Sequence, residues 1–387
     1  MPQGLSRAAT ALGLAACSVL GCGTEPSPPP NVAITVTPAL SGTFSGQPGT
    51  HQLTAEITDT LGDPLPALTA VWSVLPASSG VSVATDGLAS VAAAAAAGDY
   101  AVRASAGGVT ASAVVRVLPR PLGKLYFTAG SPNPQLHVKD LGNDLDAVQL
   151  TNGTGLITGY AIDPVAGVIL LSRTVTPASD IYRLNLDGTG LVNITNDGAQ
   201  NQNPVFHPQT NEVYFSRRTP GTVGTQIWKM AADGSGMIQL TSGDQNKNFP
   251  AISPDGQRLA WTESYPGFNN EIVTASILGT DPVRLTDRPG SDFAPVWSAN
   301  NRLLWSVFAG GNQDLFSSDV PPSGAPINLT ALSPFDSNPT AGCSPGTITF
   351  LSQRDGGTAA YQLELSTGLA VKYALPTAPL TARRVCQ

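Results

Sequence analysis

Residues able to carry acid–base, nucleophilic or metal chemistry are sparse in this sequence. Its three histidines, His51, His137 and His207, fall at unrelated places and form no pair with metal-ligand spacing. There is no Gly-x-Ser-x-Gly elbow with a following Asp and His, so a hydrolase triad has no anchor. The acidic stretch from Asp140 to Asp146 lacks the ordered ligand spacing of a calcium loop and reads as a solvated turn. Neither a metal nor a cofactor is expected. What recurs is a polar residue three or four positions before a proline: Asn201 before Pro204, Asn246 and Lys247 before Pro250, Asp292 before Pro295, and Asp336 before Pro339. Such residues could present hydrogen bonds to a protein or glycan, or could cap turns through their own backbone. Asp292 and Asp336 would have to act as a carboxylate pair for the chain to cleave a polysaccharide.

The elements that must position these residues come from a tandem repeat. A Leu/Ile-Thr pair recurs at Leu150-Thr151, Ile194-Thr195, Leu240-Thr241, Leu285-Thr286 and Leu329-Thr330, at intervals of 44, 46, 45 and 44 residues. A period of about 45 residues marks an array or a propeller. Each unit also holds an inner strand opening at a Pro (Pro204, Pro250, Pro295, Pro339; Gly159 to Pro164 is a degenerate copy). A second strand follows in every unit, as in Val213-Tyr214-Phe215-Ser216 or Leu303-Leu304-Trp305-Ser306. The second strand occurs six times, as does a third strand centred on Leu136, Ile181, Ile227, Ile272, Leu315 and Tyr361. Four strands in each of six units define a six-bladed β-propeller over residues 123–387. Phe206 and Trp297 read as core, and His207 as a structural or channel-lining residue. In a propeller, Asn201, Asn246, Lys247, Asp292 and Asp336 would converge on one rim of the channel, a concave place where ligands bind.

Composition supports an all-β chain. Only 12% of residues are charged, with 40 Gly and 33 Pro, and apolar residues come in short runs between turn formers rather than in helical stripes. The net charge is −7 with dispersed acids. No basic stripe exists to release counterions from a phosphate backbone, so nucleic acid is excluded as a partner.

Residues 32–118 precede the repeat and carry six or seven short strands, among them Val71-Trp72-Ser73-Val74 and Tyr100-Ala101-Val102-Arg103-Ala104. That density reads as a β-sandwich with Trp72 between its sheets. Counting back from Phe127 by the 11 residues that separate Pro204 from Phe215 lands on Arg116, inside the last of these strands. The first blade therefore lacks an inner strand, and the tail from Thr377 to Gln387 is free to supply it. Ring closure of this kind hides two sheet edges. It would also bring Cys386 beside Cys343, so a Cys343–Cys386 disulfide is expected to staple the ring.

Residues 1–22 hold one positive charge, Arg7, then an apolar run ending at Cys22, the layout of a secretory signal. Leu14-Ala15-Ala16-Cys17 and Val19-Leu20-Gly21-Cys22 both resemble the bacterial lipobox, in which the cysteine is lipidated. Cys22 is preferred and Cys17 is the alternative, because Cys22 leaves the fuller apolar run and a Pro-rich tether over 23–31 follows it. An ordinary cleaved signal is the remaining reading. The lipobox resemblance implies a membrane-anchored lipoprotein, and Gly23 after Cys22 implies the outer membrane.

Two family resemblances complete the sequence reading. The order Val36-Thr37-Pro38, Leu53-Thr54-Ala55, Val71-Trp72-Ser73, Asp86-Gly87-Leu88 and Gly98 to Ala104 resembles the bacterial Ig-like (Big) family, whose domains act as spacers or adhesive modules. The pattern Pro-x-x-Ser-Pro-Asp-Gly from Pro250 to Gly256, then a strand, an Asp-Gly turn and Leu-Thr, resembles the TolB-type propeller repeats. That family carries an α/β domain where this chain has the Ig-like segment, so its Tol role does not transfer. Related propellers cap serine peptidases or act as polysaccharide lyases, but the first need a hydrolase domain and the second a histidine cluster. The expectation is an envelope lipoprotein that binds an envelope protein or glycan at its channel mouth. A polysaccharide hydrolase or lyase is the alternative.

Overall fold

The structure is a computed structural model that describes residues 32–77, 80–175, 178–267, 269–331 and 335–385. The expected leader over 1–22 with Cys17 and Cys22, the expected tether over 23–31, and Cys386 lie outside the described residues.

Nine strands fill residues 32–118, more than sequence patterning suggests. Leu40–Phe44, Val109–Leu118, Gly98–Ala106 and Val71–Leu75 form one sheet, Gly49–Gln52, Leu88–Val91 and Val81–Val83 a second, and Val32–Thr37 pairs with Thr54–Asp59. Leu40–Phe44 runs through Ser41 and Gly42 without apolar alternation, which hides it from the period-2 criterion. Leu53, Val102, Ala104, Ala113 and Val115 form one fully buried core, against which a partly buried Trp72 packs.

From Lys124 onward the described chain forms six four-stranded blades. Blades 2 to 6 have inner strands Leu156–Asp163, Gln200–Phe206, Lys247–Ile252, Ser291–Trp297 and Ser337–Ala341. Their second strands are Val168–Val175, Glu212–Arg218, Arg258–Tyr265, Leu303–Ala309 and Thr347–Ser352. Blade 1 takes its inner strand from the tail: Thr381–Val385 pairs antiparallel with Lys124–Ala129, with Phe127 opposite Ala382. The hydroxyls of Thr128 and Thr381 meet at 2.8 Å across that seam. Cys343, two residues past the inner strand of blade 6, is disulfide-bonded.

Inner strands begin several residues before the proline, not at it. Proline cannot donate to the ladder, so the strand bulges there. Register slips between Gln202 and Val205, Asn248 and Ala251, Phe293 and Val296, and Ser337 and Thr340. The residue just before each proline turns left-handed, with φ of 53° at Asn203, 54° at Phe249, 53° at Ala294 and 51° at Asn338. Three of these residues hand their N–H to a hydroxyl of the preceding blade: Asn203 to Ser172 at 2.9 Å, Ala294 to Thr262 at 3.0 Å and Asn338 to Ser306 at 3.2 Å. The bulge thus locks each blade to its neighbour.

The Leu/Ile-Thr marker has a bonding explanation. Each marker threonine is buried and accepts, on its hydroxyl, the N–H of the third-strand apolar residue. The pairs are Thr151 with Leu136, Thr195 with Ile181, Thr241 with Ile227 and Thr286 with Ile272 at 2.9 Å, and Thr330 with Leu315 at 3.0 Å. Four of these hydroxyls donate onward to the residue just before that apolar one, namely Gln135, Asp180, Gln226 and Glu271. Hydroxyl, amide and buried acceptor satisfy one another, so the fourth strand is pinned to the third.

Blades stack through the period-2 alternation of the second strand. Tyr126 faces Ile169 and Leu171 of blade 2, Tyr214 faces Leu259 and Trp261 of blade 4, and Leu304 faces Ile348 and Phe350 of blade 6. Between blades 6 and 1 the cluster holds Phe127, Ala360, Val371 and Ala382, and the N-terminal Phe44 joins it. Arg116 adds a 3.1 Å ion pair to Glu364, joining the N-terminal strands to blade 6.

Candidate binding site in the central channel

The polar residues singled out before the prolines do not form an open rim. Asn201, Lys247, Asp292 and Asp336 are buried, from 0% to 5% exposed, because they lie on or just before inner strands and not in loops. Each meets a partner of complementary charge or polarity. Arg217 donates to Asn201 Oδ1 at 2.8 Å and to Asp197 at 2.5 Å, and Lys247 sits 3.7 Å from Glu263. Arg288 reaches Asp292 at 3.0 Å while lying over the Phe316 ring at 3.8 Å. Arg354 reaches Asp336 at 3.2 Å and lies over Tyr361 at 5.0 Å. Asn246 alone is exposed, and its Oδ1 accepts the Thr225 N–H at 3.0 Å.

The two aspartates are therefore each held by their own arginine inside the blades. They are not a carboxylate pair open to substrate. Burial pushes the Asp336 carboxyl above its ordinary range, opposed by a hydrogen bond from Ser352 and the charge of Arg354. This arrangement is structural: the arginine covers an aromatic face of the second or third strand and neutralises the acid beneath it.

His207 and His137 are also tied into the scaffold. His207 Nδ1 accepts the N–H groups of Gln209 and Thr210 at 3.2 and 3.1 Å, and its Nε2 donates to the Gly256 carbonyl of the next blade at 3.2 Å. His137 stacks on Phe127 at 5.3 Å. Among the described residues no group of three His, Cys, Asp or Glu is placed to hold a metal ion.

The concave feature is the channel itself, a cavity of about 440 Å³ lined by all six inner strands. Its walls include the left-handed residues Asn203, Phe249, Ala294 and Asn338, with Phe249 41% exposed toward the opening. Tyr160 on the wall donates its hydroxyl to the Tyr126 carbonyl at 2.8 Å, and burial pushes its pKa up to about 12. Arg383 and Arg384 of the closing strand complete the lining. Sequence reasoning passed over both. Aligning the tail with the other inner strands, rather than only counting it as one, is the signal that would have found them. A second, larger cleft of about 1370 Å³ lies between the N-terminal strands and blades 1 and 6, bordered by Leu40, His51, Asp144, Asp355 and Lys372.

No protein-family model matches the sequence, and neither does any curated protein. Solved structures do match in fold. The structure of TolB from Acinetobacter baumannii is 15% identical, with 75% of this chain and 79% of that one covered and a TM-score of 0.56. A nidogen/laminin complex matches at 16% identity over 67% of this chain and 97% of that one, with a TM-score of 0.55. Hydrazine synthase of Kuenenia stuttgartiensis matches at 12% identity over 68% of this chain and 48% of that one, also at 0.55. At these identities the likeness concerns the β-propeller fold.

Proposed function

We propose that this chain is a cell-envelope lipoprotein whose propeller, residues 123–387, binds an envelope protein or glycan at the mouth of its channel. The observation that carries the reading is the closed ring with a concave cavity of about 440 Å³ at its axis, the place where a rigid β scaffold offers convergent backbone and side-chain groups. The fold likeness to TolB, and to a nidogen structure solved as a complex with laminin, supports a binding role. In this reading residues 32–118 are a bacterial Ig-like spacer, packed on the propeller through Phe44 and Arg116. Lipidation at Cys22, or at Cys17, anchors the chain in the outer membrane by way of the Pro-rich tether. More than one acyl chain is needed for such anchoring to last. The disulfide of Cys343 is to Cys386, as suits an exported protein.

Two experiments test this. Envelope extract passed over the immobilised propeller should yield a specific partner that residues 32–118 alone do not retain; equal recovery on both would remove the binding assignment from the propeller. Palmitate labelling of the Cys22→Ala chain should fall to background, and undiminished labelling would remove the assignment from Cys22 and leave Cys17 as the anchor.

A further inference from the structure

The inner strands are equivalent through their pairing with the second strands, so the channel wall can be read position by position. The residues opposite Leu170, Tyr214, Ala260, Leu304 and Thr349 are Ala161, Val205, Ala251, Val296 and Thr340, all small or uncharged. In blade 1 the residue opposite Tyr126 is Arg383. The ring position that is uncharged in five blades carries a guanidinium in the sixth.

This cation has no protein partner among the described residues. Arg384, its neighbour, donates to Gln362 at 2.6 Å and to the Leu122 carbonyl at 2.8 Å, and is thereby accounted for. No such bond or ion pair is made by the Arg383 side chain, and no Asp or Glu lines the cavity. The titratable group that acts on it is Tyr160, a phenol that is neutral at physiological pH and whose pKa burial raises further, to about 12. Burial in turn lowers the pKa of the Arg383 guanidinium. The chain as a whole carries a net charge of −7, yet its axial cavity is walled by two arginines and no acid. Arg383 is half-buried, and a partly desolvated cation without a counter-charge is costly. The cost is relieved when an anion occupies the cavity.

We infer that the central channel binds a carboxylate group through Arg383. The planar fork of a guanidinium matches the two oxygens of a carboxylate. Each guanidinium nitrogen of Arg384 already donates to Leu122 or Gln362, so one open fork, that of Arg383, is left for the two oxygens of a carboxylate. Thr381, on the same wall, can donate its hydroxyl to a remaining lone pair while accepting from Thr128. The carboxylate belongs either to a small free acid or to the C-terminus or acidic side chain of a protein partner. The inference rests on reading the propeller as a binding module and specifies what its channel recognises.

The test is calorimetric titration of the full chain with three probes: acetate, an alanine pentapeptide with a free C-terminus, and the same pentapeptide amidated. Saturable one-to-one binding of acetate or of the free-acid peptide, with none of the amide, is the expected result. Acetate binding alone assigns a small acid, and tighter binding of the peptide assigns a chain terminus. Arg383→Gln should weaken the interaction by about tenfold or more, and Arg383→Lys by less, since charge survives but the fork does not. Equal affinity for amide and acid, or no saturable binding by the wild-type chain, overturns the inference by leaving Arg383 solvated by water only. The comparison of acid with amide on the wild-type chain stands even if a variant does not fold. Capture of an envelope partner that Arg383→Gln leaves untouched would sink the inference while sparing the binding role of the propeller.

Discussion

Phe44, on an N-terminal strand, stacks on Tyr373 at the outer edge of blade 6, with ring centroids 5.4 Å apart and planes 20° apart. Both side chains are 1% exposed, and Leu40 and Leu118 extend the same cluster into Leu125, Phe127 and Leu369. The aromatic pair therefore makes the N-terminal strands and the propeller share a core, which two beads on a string would not. Phe44→Ala should cost about 3 kcal/mol by deleting a buried ring. It should also split a single calorimetric transition into two, because the shared contact is lost while each core stays intact. A single unshifted transition would show that the stack contributes nothing to the coupling.

The marker threonines predict a graded series. Thr286 donates to Glu271 at 2.5 Å while accepting the Ile272 amide, and Glu271 is fully buried. Valine at that position leaves Glu271 Oε2 and a backbone N–H without their partner, while Oε1 keeps Arg284 and Asn269. The cost should be about 3 kcal/mol, as for a lost hydrogen bond to a charged group. Thr241→Val strands the neutral Gln226 instead and should cost about 1.5 kcal/mol. Urea midpoints of the two variants decide the matter; equal losses would mean that the charge of Glu271 is compensated elsewhere, Arg284 at 2.7 Å being the candidate.

Asp336 predicts a pH effect. Its folded carboxyl sits above its ordinary value of 3.8, mainly through burial. The folded chain then keeps a proton at pH values where the unfolded chain has released it. This group favours folding below the unfolded pKa, and that contribution is lost as pH rises through the folded pKa. Asp336→Asn removes the titration. The stability of the variant relative to wild type should therefore improve between pH 3 and pH 7, measured by urea unfolding at both. A relative decline over that interval would mean that pairing with Arg354, and not burial, governs the group.

Much of the architecture was legible because it repeats. One blade read from Pro204 to Thr241 gives the template, and four spaced copies average out local ambiguity. The missing inner strand of blade 1 followed from the same counting, and Thr381–Val385 occupies it. The site was not legible for a physical reason. Asn201, Lys247, Asp292 and Asp336 are polar residues at a periodic place, a pattern shared by an exposed rim and by buried ion pairs. Only the partners decide, and they keep no single offset: Arg217 and Glu263 lie 16 residues after Asn201 and Lys247, Arg354 lies 18 after Asp336, and Arg288 lies four before Asp292. Arg383 was hidden for the opposite reason. It breaks the repeat, in a strand that has Ala382 where four other inner strands carry the marking proline.

The closing strand supplies the last prediction. Thr381–Val385 covers the edge of Lys124–Ala129 through five residue pairs, and Ala382 enters the core between blades 6 and 1. A chain ending at Pro379 leaves that edge open, a template for another molecule's strand. It should aggregate on concentration, as seen by light scattering, and lose cooperative unfolding. Such a truncation removes the strand and Cys386 together, so Cys386→Ser separates the two. On the proposed Cys343–Cys386 pairing, that variant keeps every ladder pair and should lose only the covalent constraint, about 2 to 4 kcal/mol, while staying monomeric. If Cys386→Ser aggregates as the truncation does, strand pairing alone does not close the ring and the disulfide of Cys343 is what holds the tail in place.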